Sequence, residues 1–511
     1  MLRPAGQVGR ARGAHAALLL AMALASVPAV AARELQLDPN SLFRLALEQN
    51  AELVFARLQN EIAGYGVQAQ AALYEPSLYG SLRHEDRVRQ RSVEELLTTS
   101  ALSPVLSEKV DTLESGLKWR IPSGAEGSLS VRVSARRNNI IGSARQDGND
   151  SESNGALVLT LRQPLLRGVG RSIVETDLRL AQDDRDITLW QYRQQLIRVG
   201  ADALAAYWQL QRAIEGRSVR TEGLQYAREL ARDVQLKVDG GRLPPNALLE
   251  ARGAELEREV ELSRALQLVA ESESRLRALL LLPAQGVELK LPALAEPTGA
   301  EPANYDAERS LAQALDSWPG YRVAQLRLRQ SQQRLEFARD QLRPALDLQF
   351  SYSNTSLARQ PDEAFRNLHP SNYRDAYLGL TLEMPLGGNQ KARAQYSAQA
   401  ERVRQAELEV RSVLNALDND IRARAGQYRS ARLELAHLQA EFALRQRVLQ
   451  SERQQYQLGM SALGQLLRRE SEMLEARLRL AEGQVRLEVG RAALMATDGS
   501  LLREYGVEVG Y

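Results

Sequence analysis

The side chains best suited to catalysis are few and widely scattered in this chain. Its four histidines, His15, His84, His369 and His437, do not have the spacing of metal ligands. The complete absence of cysteine excludes disulfides, thiolate metal sites and a cysteine nucleophile. The sequence also lacks a phosphate-binding loop and a Gly-x-Ser-x-Gly nucleophile motif. We therefore expect that this protein is not an enzyme and that it binds no cofactor or metal ion. A hydrolase is the weakest of the possible functions.

Two carboxylates at matching positions, Glu48 and Asp316, are the remaining candidates for acid–base chemistry. They stand 268 positions apart because the chain repeats itself at that distance. The repeated segments are 45–53 with 313–321, and 76–82 with 344–350. A period this long is not a solenoid repeat, so it predicts two structurally equivalent halves. This equivalence favours a role in each helix over a paired-carboxylate active site.

The N-terminus has the pattern of an export signal. Three arginines precede an apolar run over 16–27, and small residues follow up to Ala31. This pattern is typical of a signal peptide, predicted here over 1–31, and the run is shorter than the ~20 residues of a membrane-spanning helix. The 66 basic and 64 acidic residues are nearly balanced, which gives no electrostatic case for nucleic-acid binding.

Two long segments without proline predict long helices. They cover 171–238 and 389–458 and are rich in alanine, leucine, arginine, glutamate and glutamine. Each would extend ~100 Å at the rise of an α-helix. Shorter amphipathic helices are expected upstream of each repeated proline, over 41–72 and 308–342.

Each long helix is followed by a turn and a return helix. A glycine supplies the C-cap of each outgoing helix, and we expect Asn246 and Ser461 to cap the helices that follow. The return helices are expected over 247–282 and 462–504, so that the helical hairpins cover 171–282 and 389–504.

Alternating apolar and polar residues predict strands between the short and long helices. In the second half, strands over about 345–384 carry one apolar face, as transmembrane strands of ~9–11 residues do. The expected lipid-facing residues are Leu346, Leu348, Phe350, Tyr352, Leu378, Leu380 and Leu382. The first half has four predicted strands, over about 77–163, whereas the second half has two. The additional hairpin of the first half lies either inside or outside any barrel.

So few strands cannot cross a membrane alone, because open edges leave backbone groups without partners in hydrocarbon. The chain must therefore pool its strands with copies of itself. The domain prediction is a signal peptide over 1–31, a first repeat over 32–282, a linker over 283–307 and a second repeat over 308–511.

The strand-to-helix junctions and the second turn resemble a known family. Segments 161–168, 382–388 and 456–467 look like the corresponding motifs of TolC-like outer-membrane efflux proteins and occur in the same order. The resemblance covers nearly the whole chain after the predicted signal peptide. The resemblance implies a homotrimer with a β-barrel in outer-membrane lipid and an α-helical tunnel in the periplasm. It also implies a periplasmic adaptor and an inner-membrane pump as partners, for tripartite efflux or type I secretion. Three copies would pool 18 strands with the additional hairpin, or 12 as in the family pattern.

One departure from the family concerns the second turn. Where well-known members carry aspartates six and nine residues after the turn glycine, this chain has Gln465 and Arg468. Ion pairs among Asp239, Arg242 and Arg468 could instead close the periplasmic end, and the alternative is that all three are solvated turn residues. With the two turn glycines, Gly241 and Gly459, these residues are the gate candidates. The alternative function is a soluble periplasmic coiled-coil adaptor or a surface structural protein.

Overall fold

The computed structural model describes residues 33–99, 104–144, 151–283, 287–293, 307–369 and 373–507. These residues are mostly helical with one large sheet, which confirms the predicted mainly α fold with a β portion. They divide into two compact units. The helical unit lies within Met1–Leu53, Leu196–Ala307 and Ile421–Tyr511, and the sheet unit lies within Val54–Gln195 and Glu308–Asp420. The predicted signal peptide lies outside the described residues.

The first half of the chain begins with a short strand and two helices, continues through four strands, and ends in a long helical hairpin. Its elements are β1 Arg33–Gln36, α1 Pro39–Gln49, α2 Ala51–Ala71, a 3-10 turn Ala72–Tyr74, β2 Ser77–Gln90, α3 Val93–Thr99, β3 Val105–Arg120, β4 Glu126–Asn138, α4 Asn139–Ala144, β5 Ser151–Pro164, α5 Arg171–Val174, α6 Thr176–Asp239 and α7 Pro245–Leu279.

The second half has the same order with two strands in the large sheet. Its elements are β6 Val287–Lys290, α8 Ala307–Ser317, α9 Pro319–Asp340, β7 Ala345–Ala358, α10 Pro361–Arg366, β8 Tyr373–Glu383, α11 Gln390–Gln457, α12 Leu463–Asp498 and α13 Leu501–Glu504. β6 lies in the segment expected to be a linker and pairs in parallel with β1. Among the described residues, no helix combines the length and the hydropathy needed to cross a bilayer.

The repeat appears in the structure as a helix break at the same place in each half. The helices expected over 41–72 and 308–342 are each divided, at Asn50 and at Trp318, where the backbone becomes extended. These two positions are also 268 residues apart. Asn50 accepts a hydrogen bond from the backbone N–H of Glu52 at 2.9 Å, and Pro319 starts the second helix of the other half with its fixed φ. Different side chains thus stabilise the same break.

The six longer strands form one antiparallel sheet in the order β2-β3-β4-β5-β7-β8. The two strands of the additional first-half hairpin lie inside this sheet. The halves join where β5 pairs with β7, with Leu161 opposite Phe350. β2 and β8 lie at the two ends of this order, so they are the edge strands of the sheet.

The helical unit has a core of large aliphatic and aromatic side chains. Phe43 is fully buried and stacks on Tyr505, with ring centroids 4.4 Å apart. Tyr207 and Leu204 of α6 are also fully buried. Burying a side chain of this size contributes about 1.5–3 kcal/mol, so these contacts hold α1 and α13 within the unit.

Candidate functional site

The register of the sheet gathers its apolar side chains on one face. Because side chains alternate along a strand, residues opposite one another on neighbouring strands share a face. On β7 and β8 the opposing pairs are Leu346 with Leu382, Leu348 with Leu380, Phe350 with Leu378 and Tyr352 with Ala376. The structure therefore places all seven predicted lipid-facing residues on one face, which we call the apolar face.

The apolar face continues across the whole sheet. Leu161 and Leu159 of β5 lie opposite Phe350 and Tyr352 and extend it into the first half. The remaining members on β2, β3 and β4 are Leu78, Leu82, Leu113, Leu117, Leu129, Val131 and Val133. Leu378, Leu380 and Leu382 are each more than 60% exposed. Such a large exposed apolar surface indicates contact with another protein or with lipid.

The opposite face is polar and concave. Lys118 of β3 and Tyr377 of β8 line the same cavity of about 600 Å³, although three other strands lie between β3 and β8 in the sheet. The sheet must therefore curve toward this side. Hydroxyl groups of Ser128, Thr160 and Ser351 also line the cavity, which gives it a wettable surface.

Several charged side chains of this polar face form ion pairs across neighbouring strands. Arg162 of β5 bonds Asp347 of β7 at 2.6 Å and so links the two halves, and Arg132 bonds Glu114 at 3.0 Å. Arg120 and Glu126 form a further pair beside the turn between β3 and β4. Polar and ion-paired residues line this face as they would line a water-filled passage.

The two turns between the long helices have the same backbone geometry. Gly241 and Gly459 have φ angles of 70° and 74°, a left-handed conformation that glycine adopts without strain. Beyond each glycine, a backbone N–H returns to the carbonyl oxygen five residues earlier. Arg242 donates to Lys237 at 2.8 Å and Met460 donates to Gln455 at 2.9 Å. Both outgoing helices therefore end in a glycine cap, as expected.

The expected N-caps of the return helices are wrong. Helix α7 begins at Pro245 with Pro244 in the N-cap position, so Asn246 lies inside the first turn. Helix α12 begins at Leu463 after Ala462, and the hydroxyl of Ser461 bonds Glu452 instead. Consecutive prolines fix the backbone before the asparagine can cap it.

The gate candidates are exposed and do not pair with one another within one chain. Asp239 accepts a hydrogen bond from the side chain of Gln235 at 2.8 Å. Arg242, Gln465 and Arg468 have exposed side chains. Among the described residues of the single chain, no ion pair joins Asp239, Arg242 and Arg468. Any such pair in an assembly would have to form between copies.

A hydrophobic cluster immediately beside the turns joins all four long helices. Leu230 and Val234 of α6 pack with Ala251 of α7, Leu449 of α11 and Leu466 of α12. This cluster fixes the positions of both turns relative to one another within the helical unit.

Sequence reasoning missed two charged residues in the packing beside this cluster, Glu470 and Arg477. Arg477 of α12 bonds Glu215 at 3.0 Å and Glu222 at 2.5 Å, both on α6. Glu470 is only 2% exposed. A signal was present, because Glu470 follows Leu466 and precedes Leu474 by four residues each, at the spacing of one buried helix face.

Comparison with known proteins shows the same fold in outer-membrane channels. Residues 311–500 match the family model of the outer membrane efflux proteins. The CmeC outer membrane channel of Campylobacter jejuni is 15% identical, over 91% of this chain and 86% of CmeC, with a TM-score of 0.63. The open state of the Neisseria gonorrhoeae MtrE channel is also 15% identical, over 93% of this chain and 94% of MtrE, with a TM-score of 0.65. The resemblance to the outer-membrane efflux proteins is confirmed.

A third structure of this efflux-protein fold gives the same result. The outer membrane protein VceC of Vibrio cholerae is 14% identical, over 90% of this chain and 96% of VceC, with a TM-score of 0.64. No curated protein sequence matches the chain.

The matched family consists of channels and not of enzymes. Among the described residues, no group of acidic and histidine side chains is arranged to hold a metal ion.

Proposed function

We propose that this protein is an outer-membrane channel that passes substrates from an inner-membrane pump to the exterior of a Gram-negative cell. The observation that carries this proposal is the two-faced sheet with two open edges. Its convex face is apolar and exposed, whereas its concave face is polar and lined by ion pairs. A barrel in a membrane needs this arrangement, with apolar residues toward lipid and polar residues toward the passage.

The open edges support assembly from several copies. β2 and β8 are antiparallel edge strands of 14 and 11 residues, and unpaired strand edges are unfavourable in hydrocarbon. Since the sheet has an even number of strands, β8 of one copy can pair with β2 of the next in the antiparallel sense. A homotrimer, the assembly that the family resemblance implies, would then close with 18 strands because the additional hairpin belongs to the sheet.

The helices support the periplasmic part of the proposal. α6 has 64 residues and α11 has 68, which correspond to ~96 Å and ~102 Å at the α-helical rise. Helices of this length can extend from the outer membrane far into the periplasm. The two turns at their ends would then meet a periplasmic adaptor and the pump of a tripartite efflux or type I secretion system.

The alternative function, a soluble periplasmic adaptor or a surface structural protein, explains the long helices. It gives no reason for an apolar face that extends across six strands. A soluble protein would also expose two long strand edges to aggregation.

Two adjacent residues on β7 provide a matched test. Leu348 lies on the apolar face, whereas Gln349 lines the polar cavity. Leu348→Arg should cost about 2–4 kcal/mol in the membrane and remove the heat-modifiable oligomer from outer-membrane fractions, whereas Gln349→Arg should leave it in place. Normal insertion of the Leu348→Arg variant would contradict the lipid-facing assignment.

The class of pump needs a separate experiment in cells. For an efflux system, deletion of the gene should raise susceptibility to small toxic compounds and leave protein secretion unchanged. For type I secretion, it should abolish export of a polypeptide and leave susceptibility unchanged. If deletion changes neither susceptibility nor polypeptide export, that result would contradict the proposed duct.

A further inference from the structure

Glu470 is a carboxyl group buried in the packing of four helices beside the turns. It lies on α12 between Leu466 and Leu474, which are 1% and 7% exposed, and is itself 2% exposed. The described residues give its side chain no hydrogen bond or ion pair. An ionised carboxylate in such a place is costly unless a partner compensates its charge.

Two of the arginines near Glu470 are already committed to other groups. Arg258 of α7 and Arg477 of α12 each bond two side chains. The partners are Glu261 and Ser471 for Arg258, and Glu215 and Glu222 for Arg477. Each of these two guanidinium groups is therefore held in place by two other side chains.

The remaining arginine, Arg453 of α11, has room to change its position. Its guanidinium lies over the ring of Tyr226 of α6, 4.2 Å from the centroid, and its Nε has no hydrogen-bond partner. Arg453, Tyr226 and Glu470 line a common cavity of about 450 Å³, together with Glu222 and Arg477. A cation beside an aromatic ring gains about 0.5–2 kcal/mol, which a hydrogen bond to a charged carboxylate, at about 1.5–3 kcal/mol, can exceed.

We propose that Glu470 and Arg453 form a proton-operated switch in the helix packing beside the two turns. When Glu470 is protonated, Arg453 stays on Tyr226 and the four helices pack tightly. When Glu470 is ionised, it draws Arg453 off the ring into the cavity and the packing loosens. The switch concerns the stability of the helical unit and does not depend on the proposed transport function.

The direction of the pH effect follows from burial. Burial raises the pKa of Glu470 from 4.5 to about 7, while Arg258 and Arg453 oppose this rise. The tight packing therefore binds the proton more strongly than the loosened packing does. Its stability is greatest below pH 4.5, falls as the pH rises toward 7, and is constant at higher pH.

Hydrogen exchange of the full-length protein in detergent tests this switch. Between pH 6 and pH 8, protection of the backbone amides in 226–238 and 463–470 should fall about tenfold after correction for intrinsic exchange. In Glu470→Gln, whose side chain stays neutral, the change should be less than about twofold. Glu470→Met, which fills the same apolar position, should give the same flat profile if the glutamine variant folds poorly.

Two further variants separate the switch from a general pH effect. Glu475→Gln, at an exposed carboxyl on the same helix, should keep the wild-type profile. Arg453→Gln should move the transition to higher pH, because the cation that favours ionised Glu470 is gone. A wild-type profile in Glu470→Gln would overturn the switch, and an unchanged midpoint in Arg453→Gln would overturn the part assigned to Arg453.

Discussion

The two return helices, α7 and α12, follow turns with the same glycine cap yet have opposite surroundings. The buried positions of α12 include Leu463, Leu466, Leu474, Val485 and Leu487. Those of α7 are three alanines and one leucine, Leu276. The larger apolar side chains of α7 point outward instead, with Leu249, Leu256 and Val260 exposed by 70%, 63% and 51%.

This difference shows that the two halves have kept a common turn but not a common role for the helix after it. Helix α12 packs inside its own chain, where leucines contact α6 and α11. Helix α7 presents an apolar stripe, defined here by Leu249, Leu256 and Val260, that none of the described residues of the single chain covers. Stripes of this kind indicate a contact surface. In the proposed oligomer, a neighbouring copy would cover it.

Leucine-to-alanine substitution should separate the two helices most clearly. Leu466→Ala on α12 should reduce the free energy of unfolding by about 2–5 kcal/mol, because it leaves a cavity in the cluster that joins four helices. Leu249→Ala on α7 should change the stability of the dissociated chain by less than about 0.5 kcal/mol. Chemical denaturation of monomers checks both values. Equal losses would show that α7 is packed as tightly as α12.

Charges on the stripe of α7 should weaken assembly and leave the chain folded. Burying a leucine side chain contributes about 1.5–3 kcal/mol, so Leu256→Lys and Val260→Lys should each shift the oligomer toward monomer. Glu257→Lys, at the neighbouring exposed position, is the control and should assemble normally. Analytical ultracentrifugation in detergent measures the distribution. Full assembly of both stripe variants would place the interface elsewhere.

The shared turn predicts equal and smaller effects at its two glycines. Gly241→Ala and Gly459→Ala should each cost about 1–2 kcal/mol, since both residues are left-handed. Gly464→Ala provides the contrast, because Gly464 lies inside α12 with open space around its α-carbon and should tolerate or gain from alanine. Thermal unfolding of the three variants compares them. Clearly different losses at Gly241 and Gly459 would mean that the two turns are held differently.

The elements that could be predicted from the sequence are those encoded by local patterns. Alternation over Leu346–Tyr352 predicts a strand because its period is two, and proline-free segments predict the long helices. Membership of the additional hairpin in the sheet depends on pairings between separate segments, such as Leu117 with Leu78 and Leu129 with Leu159, which no local pattern reveals. Glu470 was missed for a related reason. Its spacing from Leu466 and Leu474 places it on an apolar helix face, but only the packing of the neighbouring helices shows how completely that face is buried.

The smallest effect is expected from the charges at the turns. Arg242 and Arg468 are exposed and unpaired with Asp239 in the single chain. Ion pairs that close the periplasmic end would therefore have to form between copies. Exposed ion pairs contribute about 0–1 kcal/mol, and Arg242→Glu with Arg468→Glu should therefore raise open-channel probability by at most about fivefold. The gain should shrink in 1 M salt, where the screening length is about 3 Å.

Planar-bilayer recordings measure this change, and a charge swap provides the control. Adding Asp239→Arg to the double variant re-creates opposite charges and should return the channel toward its closed state. A conductance unaffected by charge reversal would remove Arg242 and Arg468 from the gate. Closure would then depend on the apolar packing of Leu230, Leu449 and Leu466 beside the turns, which the Leu466→Ala variant should loosen.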